Sequence, residues 1–128
     1  MNIGQAAQRS GVSAKMVRHY ESLGLLPAVA RTDAGYRQYT DREVHTLRFI
    51  RRARDLGFSM IEIAELLKLW QNQRRSSANV KKIAQKHLSE IDARMAEMAA
   101  MRKALQHLVH CCAGDDRPDC PILEELAQ

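Results

Sequence analysis

The stretch that decides the fold covers residues 3–24 and reads IGQAAQRSGVSAKMVRHYESLG. Its first half places small apolar residues at helical spacing and then breaks at Ser10-Gly11. Ser13 can cap a second short helix, which we predict over residues 14–21. Two short helices joined by a tight glycine turn are the minimum of a helix-turn-helix. The sequence therefore predicts such a unit at its start.

The second helix of this unit carries side chains that suit a DNA reader. Lys15, Arg18 and Tyr20 combine positive charge with hydrogen-bonding groups, which contact phosphates and base edges in DNA-binding helices. We therefore predict that this helix is the recognition helix.

A hairpin is predicted after the two helices. Pro27 begins a non-helical stretch, residues 33–35 form a turn, and tyrosines then alternate with polar residues over 36–39. Such a hairpin resembles a wing that lies along the phosphate backbone. Its predicted DNA contacts are Arg31, Tyr36, Arg37 and Tyr39, although we expect at least one of the two tyrosines to pack on the helices.

Three further helices are predicted from caps and periodicity. Capping boxes at residues 40–43 and 59–62 begin two of them, and the first ends at Gly57. After a polar break at 71–77, a heptad-like series of about 33 residues predicts a helix about 50 Å long, with the seam of a two-stranded coiled coil. The seam consists of Ala84, Leu88, Ile91, Met95, Met98, Arg102, Leu105 and Val109.

Charge and composition favour a nucleic-acid partner and a second subunit. The net charge of +5 divides into +5 for residues 1–60, +4 for 61–110 and −4 for 111–128. A basic body attracts nucleic acid. Only 5% of the residues are aromatic, so a large core in one chain is not expected, and a long helix would complete its core on a partner. No acid/base pair or activated nucleophile is recognisable, so we do not expect an enzyme.

The location is predicted to be cytoplasmic. No run of about 18 apolar residues would span a membrane, and the start of the chain lacks the features of a signal peptide. Thiols stay reduced in the cytoplasm, where clustered cysteines bind metal more often than they form disulfides.

A two-thiol loop follows the long helix. Cys112 and Cys120 are separated by seven residues that include Gly114 and Pro118, so the chain can fold back and bring both thiols together. Two thiolates with few other donors suit a soft ion of low coordination number, such as Cu⁺. Pro121 predicts that a short helix starts after Cys120, where backbone amides would stabilise a thiolate.

These features, in this order, resemble the MerR family of bacterial transcriptional regulators, and within it the CueR-like branch that responds to copper, silver or gold. The landmarks are Met1-Asn-Ile-Gly, Val17-Arg-His-Tyr-Glu21, Gly35-Tyr-Arg-Gln-Tyr39, Arg52-Ala-Arg-Asp-Leu-Gly-Phe58 and Cys112…Asp119-Cys120-Pro-Ile122. The loop is most similar to that of the gold-sensing sub-branch.

The resemblance implies a mainly α fold: a winged helix-turn-helix DNA-binding domain (1–75), a dimerisation helix (76–110) and a C-terminal metal-binding loop with a short helix (111–128). It implies a homodimer that binds promoter double-stranded DNA and distorts it, so that RNA polymerase can engage both promoter elements. The implied ligand is Cu⁺, Ag⁺ or Au⁺ on Cys112 and Cys120.

Ser77 occupies the position at which divalent-sensing relatives place a third thiol, and it is predicted to hold the loop by hydrogen bonds. The implied DNA contacts are Lys15, Arg18, Tyr20, Arg31, Tyr36, Arg37 and Tyr39.

Three alternatives remain open. A sensor of divalent Zn, Cd or Hg would use Cys111, Cys112, Cys120 and a histidine. A redox switch would form a disulfide between Cys112 and Cys120. A metal-buffering or structural coiled-coil protein would have no role on DNA.

Overall fold

The computed structural model describes residues 1–26 and 29–128 and is mainly α-helical, as predicted; Pro27 lies outside the described residues. In the described residues the chain divides into two compact units, Met1–Lys81 and Lys82–Gln128. The predicted domain boundaries stay predictions. The helices are α1 (Ile3–Ser10), α2 (Ala14–Ser22), α3 (Asp41–Asp55), α4 (Met60–Gln71), α5 (Ser77–Cys111) and α6 (Pro121–Leu126).

The predicted helix-turn-helix is confirmed in α1 and α2. Asn2 and Gln5 form a capping box at the start of α1, and the Ser13 hydroxyl accepts a hydrogen bond from the Met16 amide at 3.2 Å at the start of α2. Gly11 ends α1 with φ of 75°, a left-handed conformation that glycine adopts without strain. A Cβ at Gly11 would also collide with the Arg51 guanidinium.

The predicted hairpin is reduced to one antiparallel bridge, between Arg31 and Arg37, within the described part of this segment. The turn is closed by hydrogen bonds from the Thr32 amide to the Tyr36 carbonyl at 2.7 Å and from the Gly35 amide to the Thr32 carbonyl at 2.9 Å. Residues 31–39 are called the wing below. The wing continues into Tyr39, whose amide and carbonyl both bond the backbone of Met1 at 2.7 Å. A further backbone hydrogen bond, from the Gln38 amide to the Ala30 carbonyl at 2.8 Å, joins the two arms of the hairpin.

Both predicted capping boxes are present, at Thr40 with Glu43 and at Ser59 with Glu62. They begin α3 and α4, and Gly57 follows α3 with φ of 85°. Helix α3 packs against both α1 and α4, and α1 packs against α2. The buried core of this unit is Ala6, Val12, Val17, Tyr20, Leu26, Tyr39, Val44, Leu47, Ile50, Ala53, Ile63 and Leu67.

The predicted long helix is present as α5, and it ends one residue later than predicted, at Cys111. Within the second unit this helix exposes a row of large apolar side chains, namely Leu88, Met95, Met98, Met101, Leu105 and Val109. Pairing of this row in a coiled coil stays a prediction. A loop with a left-handed Gly114 then leads to Cys120, the N-cap of α6, with Pro121 at the first helical position as predicted.

Among the described residues, no helix combines the length and apolar character that crossing a bilayer requires.

Candidate DNA-binding face and thiol loop

Four of the seven predicted DNA contacts have exposed side chains. Lys15 and Arg18 lie on α2, and both are exposed. In the wing, Arg31 is exposed and its guanidinium donates to the Gly35 carbonyl at 3.2 Å, while Tyr36 is 74% exposed. An exposed phenol and exposed cations on one compact unit can contact phosphates without any rearrangement of the core.

Tyr20 and Tyr39 differ from this prediction because they belong to the core, where they are 2% and 1% exposed. The Tyr39 hydroxyl donates to a Glu21 carboxylate oxygen at 3.0 Å, and the Tyr20 hydroxyl accepts from Arg54 at 2.7 Å. Rings enclosed in this way cannot present a face to DNA. We therefore correct their role from direct contact to positioning of α2 and the wing, which agrees with the expectation that one wing tyrosine packs on the helices.

Arg37 is half-buried and its Nε lies 3.1 Å from the other oxygen of the Glu21 carboxylate. The Glu21 carboxylate thus contacts two side chains of the wing, the Tyr39 hydroxyl and the Arg37 guanidinium. Burial, the hydrogen bond to Glu21 and the charge of Glu21 raise the pKa of Tyr39, while the charges of Arg37 and Arg18 partly oppose this. The roles of Glu21 and Arg54 have no local sequence pattern, because each lies 16 or 34 residues from its partner in the chain.

The structure brings the two predicted metal-binding thiols together. The Sγ atoms of Cys112 and Cys120 lie 4.0 Å apart, and both residues are partly buried. With metal–sulfur bonds of about 2.3 Å, this separation corresponds to an S–metal–S angle of about 120°, and a linear site needs about 4.6 Å. An opening of about 0.6 Å would make the pair linear, so the pair fits a soft ion held by two sulfurs.

The start of α6 favours the thiolate form of Cys120. The nearby backbone amide of Leu123 is the largest cause that lowers its pKa, with further contributions from the Ile122 amide and the Cys112 thiol. Desolvation and the charge of Glu124 act in the opposite direction and are outweighed. A thiolate is the form that binds metal, so these amides prepare Cys120 for coordination.

The loop between the thiols is shaped by Asp115 and Arg117. The Arg117 amide bonds one Asp115 oxygen at 3.0 Å, and its guanidinium bonds the other at 2.8 and 3.0 Å. These hydrogen bonds lower the pKa of the Asp115 carboxyl. The chain folds back between the two thiols as predicted, and an internal ion pair between Asp115 and Arg117, which the sequence did not indicate, shapes this loop.

The remaining candidates, Ser77 and Cys111, lie at the two ends of α5. Ser77 is the exposed first residue of α5 and belongs to the first unit. Cys111 is the exposed last residue of α5, and its Sγ lies 3.8 Å from Nε2 of His107, one turn earlier.

A helix-turn-helix unit with exposed cations, a long helix and a two-thiol loop define the class of helix-turn-helix transcriptional regulators. Two family models match the chain: MerR HTH family regulatory protein over residues 1–70 and MerR, DNA binding over residues 44–108. The chain therefore belongs to the MerR family of transcriptional regulators, which are not enzymes.

Individual relatives are similar to this chain in sequence over nearly its whole length. It is 54% identical to heavy metal-dependent transcription regulator 2 of Rhizobium meliloti, over 99% of this chain and 86% of that protein. It is 39% identical to the HTH-type transcriptional regulator CueR of Salmonella typhimurium, over 99% and 92%. Its structure is similar to that of the transcription regulator PbrR691 from Ralstonia metallidurans in complex with lead(II), with a TM-score of 0.87, 31% identity and 98% of both chains covered.

Proposed function

We propose that this protein is a metal-responsive transcription regulator that binds promoter DNA as a homodimer and activates transcription when Cys112 and Cys120 bind Cu⁺, Ag⁺ or Au⁺. The observation that carries the proposal is the 4.0 Å separation of the two thiols in a chain whose first unit has a DNA-binding fold of the MerR family. Relatives described as heavy metal-dependent regulators support the metal response.

Charge and donor number favour a monovalent ion. Two thiolates around a +1 ion leave a net charge of −1, which the amides at the start of α6 would stabilise. Zn²⁺ prefers four donors, and the chain has a serine, Ser77, where divalent-sensing relatives are expected to have a third thiol. The 39% identity to CueR supports this assignment.

The proposed DNA face combines α2 with the wing. Lys15, Arg18, Arg31 and Tyr36 are exposed, and Arg37 lies beside them in an ion pair with Glu21. These five side chains would contact DNA, while Tyr20 and Tyr39 hold α2 and the wing in place from the core. The likeness of the first unit to MerR-family models supports this arrangement.

The proposed dimer uses α5. Six large apolar side chains of this helix are more than half exposed in the single chain, and burying such a row on a second α5 is the usual way in which a long helix completes its core. In the proposed mechanism, metal-bound dimers distort the promoter so that RNA polymerase engages it. The distortion energy is offset by contacts between the dimer and the DNA.

The test is transcription in vitro from the native promoter with a panel of Cu⁺, Ag⁺, Au⁺, Zn²⁺, Cd²⁺ and Hg²⁺. We expect activation by the three monovalent ions, and we expect Cys112→Ser or Cys120→Ser to abolish this activation. Promoter binding by these variants without metal should stay within about twofold of wild type, because both thiols lie outside the DNA-binding unit. Cys111→Ser is the matched control and should keep most of the response. Full activation of either single variant would contradict the two-thiolate site.

A divalent sensor is the second candidate, because the fold is similar to that of PbrR691, a protein solved with lead(II). Wild-type activation by Zn²⁺ or Cd²⁺ at concentrations comparable to those of Cu⁺ would replace the monovalent assignment. A thiol redox switch would need the Sγ atoms to approach by about 2 Å to reach disulfide length.

A further inference from the structure

A second pair of soft and borderline ligands lies on the last turns of α5, outside the Cys112–Cys120 pair. His107 and Cys111 are four residues apart, so they occupy the same face of the helix one turn from each other. The distance between His107 Nε2 and Cys111 Sγ is 3.8 Å. Both residues are exposed.

This separation suits two ligands of one metal ion. With a metal–nitrogen bond of about 2.1 Å and a metal–sulfur bond of about 2.3 Å, atoms 3.8 Å apart subtend an angle of about 120° at the metal. That angle lies close to the values of trigonal and tetrahedral sites, so an ion can bind without movement of the helix backbone.

The surroundings also suit a cation. Cys111 is the last residue of α5, where the helix dipole presents partial negative charge. Exposure leaves the other coordination positions open to water or to a donor molecule. Imidazole and thiolate together favour the copper and zinc class of ions over Mg²⁺ or Ca²⁺, which prefer oxygen.

We propose that His107 and Cys111 form an exposed, open metal site that takes up an ion of the copper and zinc class next to the Cys112–Cys120 pair. On binding, Cys111 loses its thiol proton to solvent, a metal–sulfur bond forms to the resulting thiolate, and the neutral His107 ring supplies the second bond. Since Cys112 follows Cys111 directly, the site would transfer Cu⁺ to the partly buried Cys112–Cys120 pair by ligand exchange. This transfer rests on the proposed function, whereas binding at the site does not.

Binding is tested in the full-length Cys112→Ser/Cys120→Ser variant, which lacks the other pair, with Co²⁺ as a spectroscopic probe for zinc-like coordination. We expect one Co²⁺ per chain, with a thiolate-to-cobalt charge-transfer band. Adding His107→Ala or Cys111→Ser should weaken binding by at least about tenfold. His110→Ala, which changes a neighbouring exposed histidine, is the matched control and should leave the band and the affinity unchanged.

The site would be overturned if the Cys112→Ser/Cys120→Ser variant shows no charge-transfer band, or if His107→Ala leaves Co²⁺ affinity unchanged. Equal weakening by His107→Ala and His110→Ala would also overturn it. All of these variants change exposed or partly buried residues of the second unit, so circular dichroism should show unchanged helix content.

Transfer is tested with the Cys112–Cys120 pair intact, by following Cu⁺ loading from a chelator under anaerobic conditions. His107→Ala should slow loading several-fold and leave the final occupancy of the pair unchanged. An unchanged loading rate would overturn the transfer role, and a lowered final occupancy would place His107 in the main site instead. If monovalent ions fail to activate transcription, the Co²⁺ experiment still tests whether His107 and Cys111 bind metal.

Discussion

The Glu21 carboxylate joins two parts of the DNA-binding unit through single side-chain contacts. One oxygen accepts the Tyr39 hydroxyl at 3.0 Å and the other lies 3.1 Å from Arg37. Glu21 belongs to α2, whereas both partners belong to the wing. A hydrogen bond to a charged group contributes about 1.5–3 kcal/mol, so this residue fixes the wing on α2, whereas the Arg31–Arg37 bridge lies within the wing.

Removing a proposed phosphate contact should weaken promoter binding with or without metal. We expect Arg18→Ala and Arg37→Ala each to lower affinity and to flatten the slope of log affinity against log salt by about one unit, since each removes one cation from the DNA face. The measurement is a salt series of fluorescence anisotropy on the promoter.

Arg117→Ala is the control for this series, because Arg117 is an exposed arginine that is bound to Asp115 in the second unit. It should keep the wild-type affinity and slope. Unchanged salt dependence in both Arg18→Ala and Arg37→Ala would remove α2 and the wing from the DNA face.

At the scale of elements, α5 is a helix whose apolar side lacks cover within its own unit. Leu105 is 55% exposed, and the residues at the other seam positions from Leu88 to Val109 include Met95 and Met98, both more than 60% exposed. A buried leucine contributes about 1.5–3 kcal/mol relative to an exposed one. Pairing of two such rows would therefore contribute a large part of the stability of the protein.

A charge in this row should separate the subunits. We expect Leu105→Lys to shift the protein from dimer to monomer in sedimentation velocity at micromolar concentration, because the charge would have to be buried twice in the seam. Gln106→Lys, at an exposed position outside the seam, is the matched control and should stay dimeric. A Leu105→Lys protein with wild-type sedimentation would show that this row does not form the dimer contact.

Element boundaries were predictable because they are fixed locally. The hydroxyl of Ser13, the box of Thr40 with Glu43 and the proline after Cys120 each mark a helix start within a few residues of sequence. The wing was predicted less well, because its last residue pairs with the backbone of Met1, 38 residues away. Long-range pairing of this kind has no local signature.

The candidate site was predictable to a similar extent. The spacing of the two thiols and the glycine between them sufficed to predict their approach. The sequence did not indicate that Tyr20 and Tyr39 are buried, because tyrosine occurs both in hydrophobic cores and at DNA contacts. The Asp115–Arg117 ion pair could not be predicted, because aspartate and arginine are equally common in solvated loops where they do not pair.

At the scale of the whole molecule, metal selectivity is proposed to depend on a residue far from the thiols in sequence. In the proposed dimer, Ser77 at the start of α5 of one subunit would lie beside the thiol loop of the other. We expect Ser77→Cys to extend the transcriptional response to Zn²⁺ and Cd²⁺, because a third thiolate fills a position that two thiolates leave open around a +2 ion.

The informative comparison is activation by Zn²⁺ and Cd²⁺ in wild type and in Ser77→Cys, since Hg²⁺ also accepts two linear thiolates. Ser76→Cys places a thiol one residue earlier and is the matched control, which should keep the wild-type response. Identical metal responses of Ser77→Cys and wild type would remove Ser77 from the metal site.

The ion pair of Arg37 with Glu21 has a consequence for competition among polyanions. A ligand that binds Arg37 must interact with it more strongly than the Glu21 carboxylate does. An isolated phosphate or a flexible single strand therefore gains little binding energy from this arginine. A duplex that engages α2 and the wing at the same time brings several phosphates into position together. The internal carboxylate would thereby act as a filter that lowers nonspecific capture of cellular polyanions and leaves the rigid duplex as the favoured ligand.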